Sequence, residues 1–227
     1  MYKATVLKKS WMSSRDILLT LTLVEPVEID FTPGQFVSLK VDETAFRAYS
    51  ICSSADNKSE ISLLVSSFHN GLGANYVKNL NIDSDVTFVG PGGRFMFSSQ
   101  VAPEIVFVCT GTGIAPFVSM LHQVLELNLA AKIRLVFGVR TKKDVLFLDF
   151  LNSCKSKLNN FDYKICLSQE KSAEFLHGRV TDNVVIPNPK SAHVYLCGHP
   201  NMVDDMKLRL AALGVPQSNV FSEKFTV

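Results

Sequence analysis

The feature that most limits the fold is a change of rhythm near residue 100. Before it, apolar residues come in short alternating runs separated by turn residues. Asp16–Glu25, Gln35–Val41, Phe46–Ser53, Glu60–Ser66 and Asp85–Val89 are rich in Val, Ile, Leu, Phe and Thr, and the N-terminal Met1–Lys9 alternates similarly. This is the pattern of short strands. Pro33-Gly34 and Pro91-Gly92-Gly93 punctuate the runs as turns. One helix, Gly73 to Leu80, interrupts them. Many short strands with a single helix predict a closed antiparallel barrel.

After that point strands and helices alternate. Glu104–Cys109 is a continuous apolar run, as expected for a strand covered on both faces. Phe117, Met120, Leu121, Val124 and Leu125 follow at helical spacing. Further strands are predicted at Ile133–Phe137, Tyr163–Leu167, His193–Cys197 and Val220–Phe225, and helices at Val145–Leu158 and Asn201–Leu213. This alternation predicts an α/β doubly wound parallel sheet. Ser98–Pro103 reads as the hinge, giving two domains, 1–98 and 103–227.

Composition removes several function classes. A 47% hydrophobic, 19% charged chain holds a substantial core. A net charge of +2 is too small to argue for nucleic acid. No apolar run reaches the roughly 18 residues of a membrane span. The N-terminus also lacks the apolar block of a signal peptide, so a cytoplasmic location is expected. Cys52, Cys109, Cys154, Cys166 and Cys197 contain no C-x-x-C pair, which argues against a disulfide framework and an iron–sulfur cluster. The histidines at 69, 122, 177, 193 and 199 lack metal-ligand spacing, and no G-x-S-x-G motif supports hydrolysis. Lys142-Lys143 and Lys155/Lys157 suit either solvated surface or a docking patch for an acidic carrier protein.

Four segments can carry chemistry. In Arg47-Ala48-Tyr49-Ser50-Ile51-Cys52, Arg47 and Tyr49 share one strand face. An arginine beside an aromatic, followed by hydroxyls, suits a planar cofactor bearing phosphate; it also suits an ordinary amphipathic strand. Gly71-Leu72-Gly73-Ala74-Asn75 opens a helix whose N-terminus favours an anion, and equally a plain turn. Thr110-Gly111-Thr112-Gly113-Ile114-Ala115-Pro116 is a glycine-rich strand-to-helix turn of the kind that meets a dinucleotide pyrophosphate. Cys197-Gly198-His199-Pro200-Asn201-Met202 ends a later strand, where open α/β sheets bind ligands; Cys197 also reads as a buried structural cysteine.

Taken in order, these segments resemble the ferredoxin–NADP reductase superfamily along nearly the whole chain. The resemblance implies a six-stranded FAD-binding barrel followed by an NAD(P)-binding α/β domain. It assigns FAD contacts to Arg47, Tyr49, Ser50, Ile51, Leu64, Val65, Ser66, Gly71, Gly73, Ala74 and Asn75, with Arg47 on the pyrophosphate and Ser50 near flavin N5. Ala74 stands where the family commonly carries Ser or Thr, so one hydroxyl contact is absent. Gly90–Phe95 resembles the turn that closes the family barrel. The NAD(P) contacts implied are Thr110, Gly111, Thr112, Gly113, Pro116, Arg140, Arg179, Cys197, Gly198, Pro200 and Met202. Two arginines, Arg140 and Arg179, can clamp a 2′-phosphate, which favours NADPH slightly over NADH. The ending Phe221–Val227 offers Phe225 as an aromatic over the flavin, or as part of a last core strand, and Glu223 as a polar group near N5. Catalytic roles are thus expected for Ser50, Cys197 and Glu223.

The expected activity is hydride transfer from NAD(P)H to FAD and then single-electron transfer to a ferredoxin, flavodoxin or oxygenase component. The alternatives are a flavin reductase acting on free flavin and an electron-transfer subunit without independent catalysis.

Overall fold

Six strands come first in the computed structural model, which describes residues 1–68, 70–97 and 102–225. They are β1 (Tyr2–Trp11), β2 (Asp16–Glu25), β3 (Phe36–Lys40), β4 (Phe46–Ser50), β5 (Glu60–Ser66) and β6 (Asp85–Gly92), with α1 (Leu72–Asn79) between the last two. They pair antiparallel in the order β4-β3-β6-β1-β2-β5. A bridge between Ile51 and Leu63 joins the two edges, and the Cys52 N–H donates to the Ser62 carbonyl at 2.8 Å. The sheet therefore closes as the predicted barrel.

Alternation along each strand fills the barrel. In β2 the side chains of Ile17, Leu19, Leu21 and Leu23 are buried, while Leu18, Thr20 and Thr22 are only partly so. Lys9 Nζ donates to the Lys78 carbonyl at 2.8 Å and also to that of Leu80. This cation caps the C-terminal end of α1, where carbonyls lack helical partners.

One turn is corrected. Pro91-Gly92 does not leave the sheet: β6 runs on to Gly92, which pairs with Phe36 across a register shift. Gly90 takes φ 145°, and an added Cβ would stand 3.1 Å from Val37 Cγ1. The glycine is used here for a bulge that keeps the strand paired.

The later elements are β7 (Glu104–Thr110), α2 (Ala115–Leu127), β8 (Lys132–Val139), α3 (Leu148–Lys157), β9 (Phe161–Leu167), β10 (Leu176–His177), α4 (Val180–Asn183), β11 (Ala192–Gly198), α5 (Pro200–Ala212) and β12 (Val220–Lys224). The strands are parallel, in the order β10-β9-β8-β7-β11-β12. The first six residues of β7 are buried, as the unbroken apolar run requires. The helix expected from Val145 starts only at Leu148. Thr141–Asp144 forms its own capped 3₁₀ turn, and Phe147 at φ 57° separates the two. Elements β10 and α4 were not predicted; runs of two and four residues carry no readable period.

Chain order reverses around β7, with β8 on one side and β11 on the other. The crevice outside their carboxyl ends is a topological switch point. Two compact units result: Met1–Phe97 with Ala115–Gln123, and the remaining described residues. Of the expected hinge, Ser98–Val101 lie outside the described residues, as do His69, Thr226 and Val227.

Phe88 is fully buried in the barrel and stacks on Tyr2 with ring centroids 4.9 Å apart. Phe88→Ala is expected to cost about 3–5 kcal/mol of unfolding free energy. Urea denaturation checks this, and a loss below about 1 kcal/mol would contradict the packing described.

Candidate functional site

In the barrel unit, β4 is an edge strand whose exposure changes along its length. Arg47 is exposed, Tyr49 half-buried against the core and Ser50 only 4% exposed. The Arg47 guanidinium donates to its neighbour's carbonyl, Phe46 O, at 2.8 Å. Facing this strand is the start of α1. An added Cβ at Gly73 would lie 2.2 Å from Tyr49 Oη and 3.0 Å from Arg47 Cγ. Arg47, Tyr49 and the first turn of α1 therefore share one tight cradle, and glycine is what lets them meet. Gly71, the N-cap, provides no side chain to cap the helix, and the first turn holds no acidic residue. Its backbone donors and dipole are thus presented beside a guanidinium, which suits an anion.

The other expected FAD residues divide by what they can offer. The side chains of Ile51 and Val65 are fully buried barrel core, and that of Leu64 is 3% exposed. Only their backbones are available to a ligand. Ser66 is exposed. The methyl of Ala74 is buried, leaving its amide as the useful group. Asn75 Nδ2 donates to the Asn70 carbonyl at 2.9 Å, so that side chain fixes the preceding turn. A cavity of about 400 Å³ runs along the adjoining face of α1, lined by Val41, Leu72, Asn75, Tyr76, Asn79 and Leu80.

In the second unit, the two strand-end turns interlock at the switch point. Thr110 Oγ1 accepts the His199 N–H at 3.0 Å. An added Cβ at Gly113 would meet the Cys197 carbonyl oxygen at 2.5 Å and Gly198 Cα at 2.7 Å. Gly198 takes φ 137°, and its added Cβ would lie 2.4 Å from Thr110 Oγ1. Gly111 is also left-handed, at φ 55°. Thr112 is half-buried within this turn. Pro116 lies in the first turn of α2, and Pro200 opens α5, where His199 Nδ1 accepts the Asn201 N–H at 3.2 Å. Met202 differs from expectation: it is 8% exposed and belongs to the core beneath the sheet, so its side chain is packing.

Cys197 pairs in register with Cys109 on one side and Glu223 on the other. Burial holds its thiol well above the usual thiol range, with Glu223 and then Cys109 adding to the effect. It is therefore a neutral thiol, unfit as a nucleophile, and its side chain is fully buried, which leaves its backbone to meet a ligand. The Phe225 N–H donates to the Gly198 carbonyl at 2.9 Å, bringing the chain's end to the same turn.

Arg140 and Arg179 lie beside two elements that pack together. Arg140 follows β8, and Arg179 is the N-cap of α4, whose Val180 packs on Gly138 of β8. Both are exposed. In the basic clusters, Lys142 pairs with Glu174, and Lys155 pairs with Asp162 at 2.6 Å. Surface pairs of this kind are worth little energetically. Glu170, three positions beyond the end of β9, accepts the Lys142 backbone N–H at 2.8 Å through its carboxylate.

The Gly73 cradle fits a phosphate-bearing cofactor such as FAD. Among the described residues no cluster of His, Cys, Asp or Glu is arranged for a metal, and no helix is long and apolar enough to cross a membrane.

Comparison with known proteins agrees with this division. Residues 3–97 match the family described as oxidoreductase FAD-binding domain, and residues 107–207 the oxidoreductase NAD-binding domain. The chain is 35% identical over 219 residues to the 2-halobenzoate 1,2-dioxygenase electron transfer component of Burkholderia cepacia, covering 94% of this chain and 64% of that protein. It is 30% identical to the toluate 1,2-dioxygenase electron transfer component of Pseudomonas putida, covering 99% and 67%. The chain thus spans about two thirds of the length of these relatives. Among solved structures, an Amycolatopsis cytochrome P450 reductase superposes with TM-score 0.93 at 26% identity, covering all of this chain and 70% of the other. A ferredoxin NADP⁺ reductase from Neisseria gonorrhoeae with bound FAD and NADP shares the fold, with TM-score 0.86 at 20% identity, covering 98% and 97%.

Two outcomes are expected. Gly73→Ala should weaken FAD binding by at least about tenfold, because the new methyl forces Tyr49 or Arg47 aside. Gly71→Ala, whose Cβ meets open space, should leave binding within about twofold; fluorescence titration of FAD reads both, and equal affinities would contradict the cradle. All five cysteines are buried free thiols, with Cys52 pushed up to about 12 and Cys154 and Cys166 to about 11 by burial. At about pH 8, below these raised values, a thiol reagent should find no rapidly reacting cysteine in the native protein. In urea all five should react, and a fast native thiol would refute the burial described.

Proposed function

The chain belongs to the ferredoxin–NADP reductase superfamily, and from that premise we propose that it draws electrons from a nicotinamide dinucleotide into bound FAD and passes them singly to a separate acceptor protein. The observation that carries this reading is the pairing of a phosphate cradle at Arg47, Tyr49 and Gly73 with a dinucleotide-type switch point at Thr110–Gly113 and Cys197–Gly198. When bound, FAD supplies the conversion of a two-electron donor into one-electron steps.

The protein's own residues bind and orient. Arg47 and the amides of Gly73 and Ala74 would hold the FAD pyrophosphate, the Asn75 N–H being taken by the Gly71 carbonyl at 3.0 Å, while Tyr49 would present an aromatic face and Ser50 a buried hydroxyl to the ring. The Thr110–Pro116 turn takes the dinucleotide pyrophosphate at the N-terminus of α2. The backbone at Cys197, whose thiol is fully buried, would border the nicotinamide, and Glu223 would offer a polar group beside it. Phe225 borders the same site. Fixing both reactants in this way is the main catalytic contribution open to residues that do no chemistry themselves.

The acceptor proposed is an oxygenase component, ferredoxin or flavodoxin. Relatives named as electron transfer components of dioxygenases support the first of these. The cytoplasm is proposed as the location, and 1–98 and 103–227 as the domain limits.

The test is direct. Purified protein should release FAD on denaturation and oxidise NADH or NADPH with an artificial one-electron acceptor. Arg47→Ala should lower FAD affinity by about tenfold or more, as loss of a charge-assisted phosphate contact requires. Protein that retains no flavin and oxidises neither nucleotide would overturn the proposal.

A further inference from the structure

We propose that the outer edge of β9 pairs with the same edge of a second copy of this chain, through an antiparallel strand pair centred on Tyr163. Backbone groups along β9 alternate between its two sides. The Asn160 carbonyl accepts the Ile133 N–H at 2.8 Å, and the Ser168 N–H donates to the Val139 carbonyl at 3.0 Å, so even-numbered residues face β8. Odd-numbered residues face away, and the Leu167 carbonyl accepts the Gly178 N–H at 2.9 Å on that side. The same alternation turns the backbone groups of Phe161, Tyr163 and Ile165 outward. Strand β10 pairs only with Cys166 and Leu167, and among the described residues no other strand lies beside β9 there.

The length of the open edge sets the register. At its start the Phe161 N–H turns back to the Leu158 carbonyl at 3.3 Å, and at its end β10 begins opposite Cys166. A copy laid antiparallel against Phe161–Ile165 therefore meets its own image about Tyr163. In that register the Tyr163 N–H donates to the carbonyl of the partner's Tyr163, and the Ile165 N–H to that of the partner's Phe161. Asp162 comes opposite the partner's Lys164, and Lys164 opposite the partner's Asp162. Both side chains are exposed and share one strand face. They sit at non-hydrogen-bonded positions, where Cα atoms approach to about 4.5 Å. An acid and a base placed symmetrically about one residue complement themselves in this arrangement, which selects a second copy as the occupant.

Lys155 guards this edge in the single chain. From α3 it pairs with Asp162 at 2.6 Å, and its ammonium lies 5.8 Å from the centre of the Tyr163 ring. Asp162 and Tyr163 point to opposite faces, so Lys155 reaches around the outer side of β9 to touch both. A lysine across an edge is a common protection against open-ended pairing. Both side chains of the pair are more than half exposed, so exchanging Lys155 for the partner's Lys164 costs little. The Tyr163 hydroxyl donates to Asn152 at 2.5 Å, which ties the other face of the strand to α3. The pairing is isologous and uses up the edge, so it stops at two copies.

The experiment is sedimentation velocity of the full chain over a concentration range from about 1 to about 200 µM. The wild type should form a dimer that dissociates on dilution, and Lys155→Ala should tighten it by about threefold or more. In the Lys155→Ala background, Lys164→Asp sets like charges opposite each other and should weaken the dimer by at least about tenfold. Adding Asp162→Lys to that variant restores opposite charges across the seam, and should return the dissociation constant to within about threefold of the background. Recovery by the double exchange separates a charge effect from a folding defect. A wild type that stays monomeric throughout the range, or a dimer indifferent to these charges, overturns the proposal.

Discussion

The contact on which the second unit's site depends is the interlock of two glycine turns at the ends of β7 and β11. Parallel strands bring Cys109 and Cys197 side by side, and the chain must then leave the sheet twice within a small space. It can do so only where side chains are absent: a Cβ at Gly113 would stand 2.5 Å from the Cys197 carbonyl oxygen, and one at Gly198 2.4 Å from Thr110 Oγ1. The bond from the His199 N–H to Thr110 Oγ1 then locks the two turns together. Because α5 begins here, its N-terminus is set by this lock.

The barrel unit reaches a comparable result by different means. There the close approach is between a strand's side chains and a helix, with Gly73 admitting Tyr49 and Arg47. The remaining strands are occupied with the core, so the fully buried Ile51 and Val65 leave only main-chain atoms for a ligand. Lys9, from the opposite end of the barrel sequence, secures the other end of the same helix. One short helix is held at both termini, which fixes the direction of its dipole.

The barrel and the parallel sheet were legible because their apolar periods differ, two in β2 and an unbroken run in β7. Turn chemistry was less so. Pro91-Gly92 carries every mark of a turn, yet with Gly90 before it at φ 145° the segment forms a bulge inside β6. Met202 sat in a motif but faces the core, since position in a motif does not fix which side of a helix a residue occupies. The bond between Glu170 and the Lys142 amide was hidden for a further reason: the two residues lie 28 apart in sequence, and the parallel register of β8 and β9 joins them.

The central proposal is that the interlocked turns hold the nicotinamide dinucleotide that reduces the flavin. Anaerobic rapid mixing of FAD-loaded protein with NADH, followed at the flavin absorbance, tests it in the wild type and in Gly113→Ala. Displacement of the turn by about 1 Å should slow flavin reduction by about a hundredfold while FAD content is unchanged. Reduction of the variant at a rate within about threefold of the wild type would contradict the account.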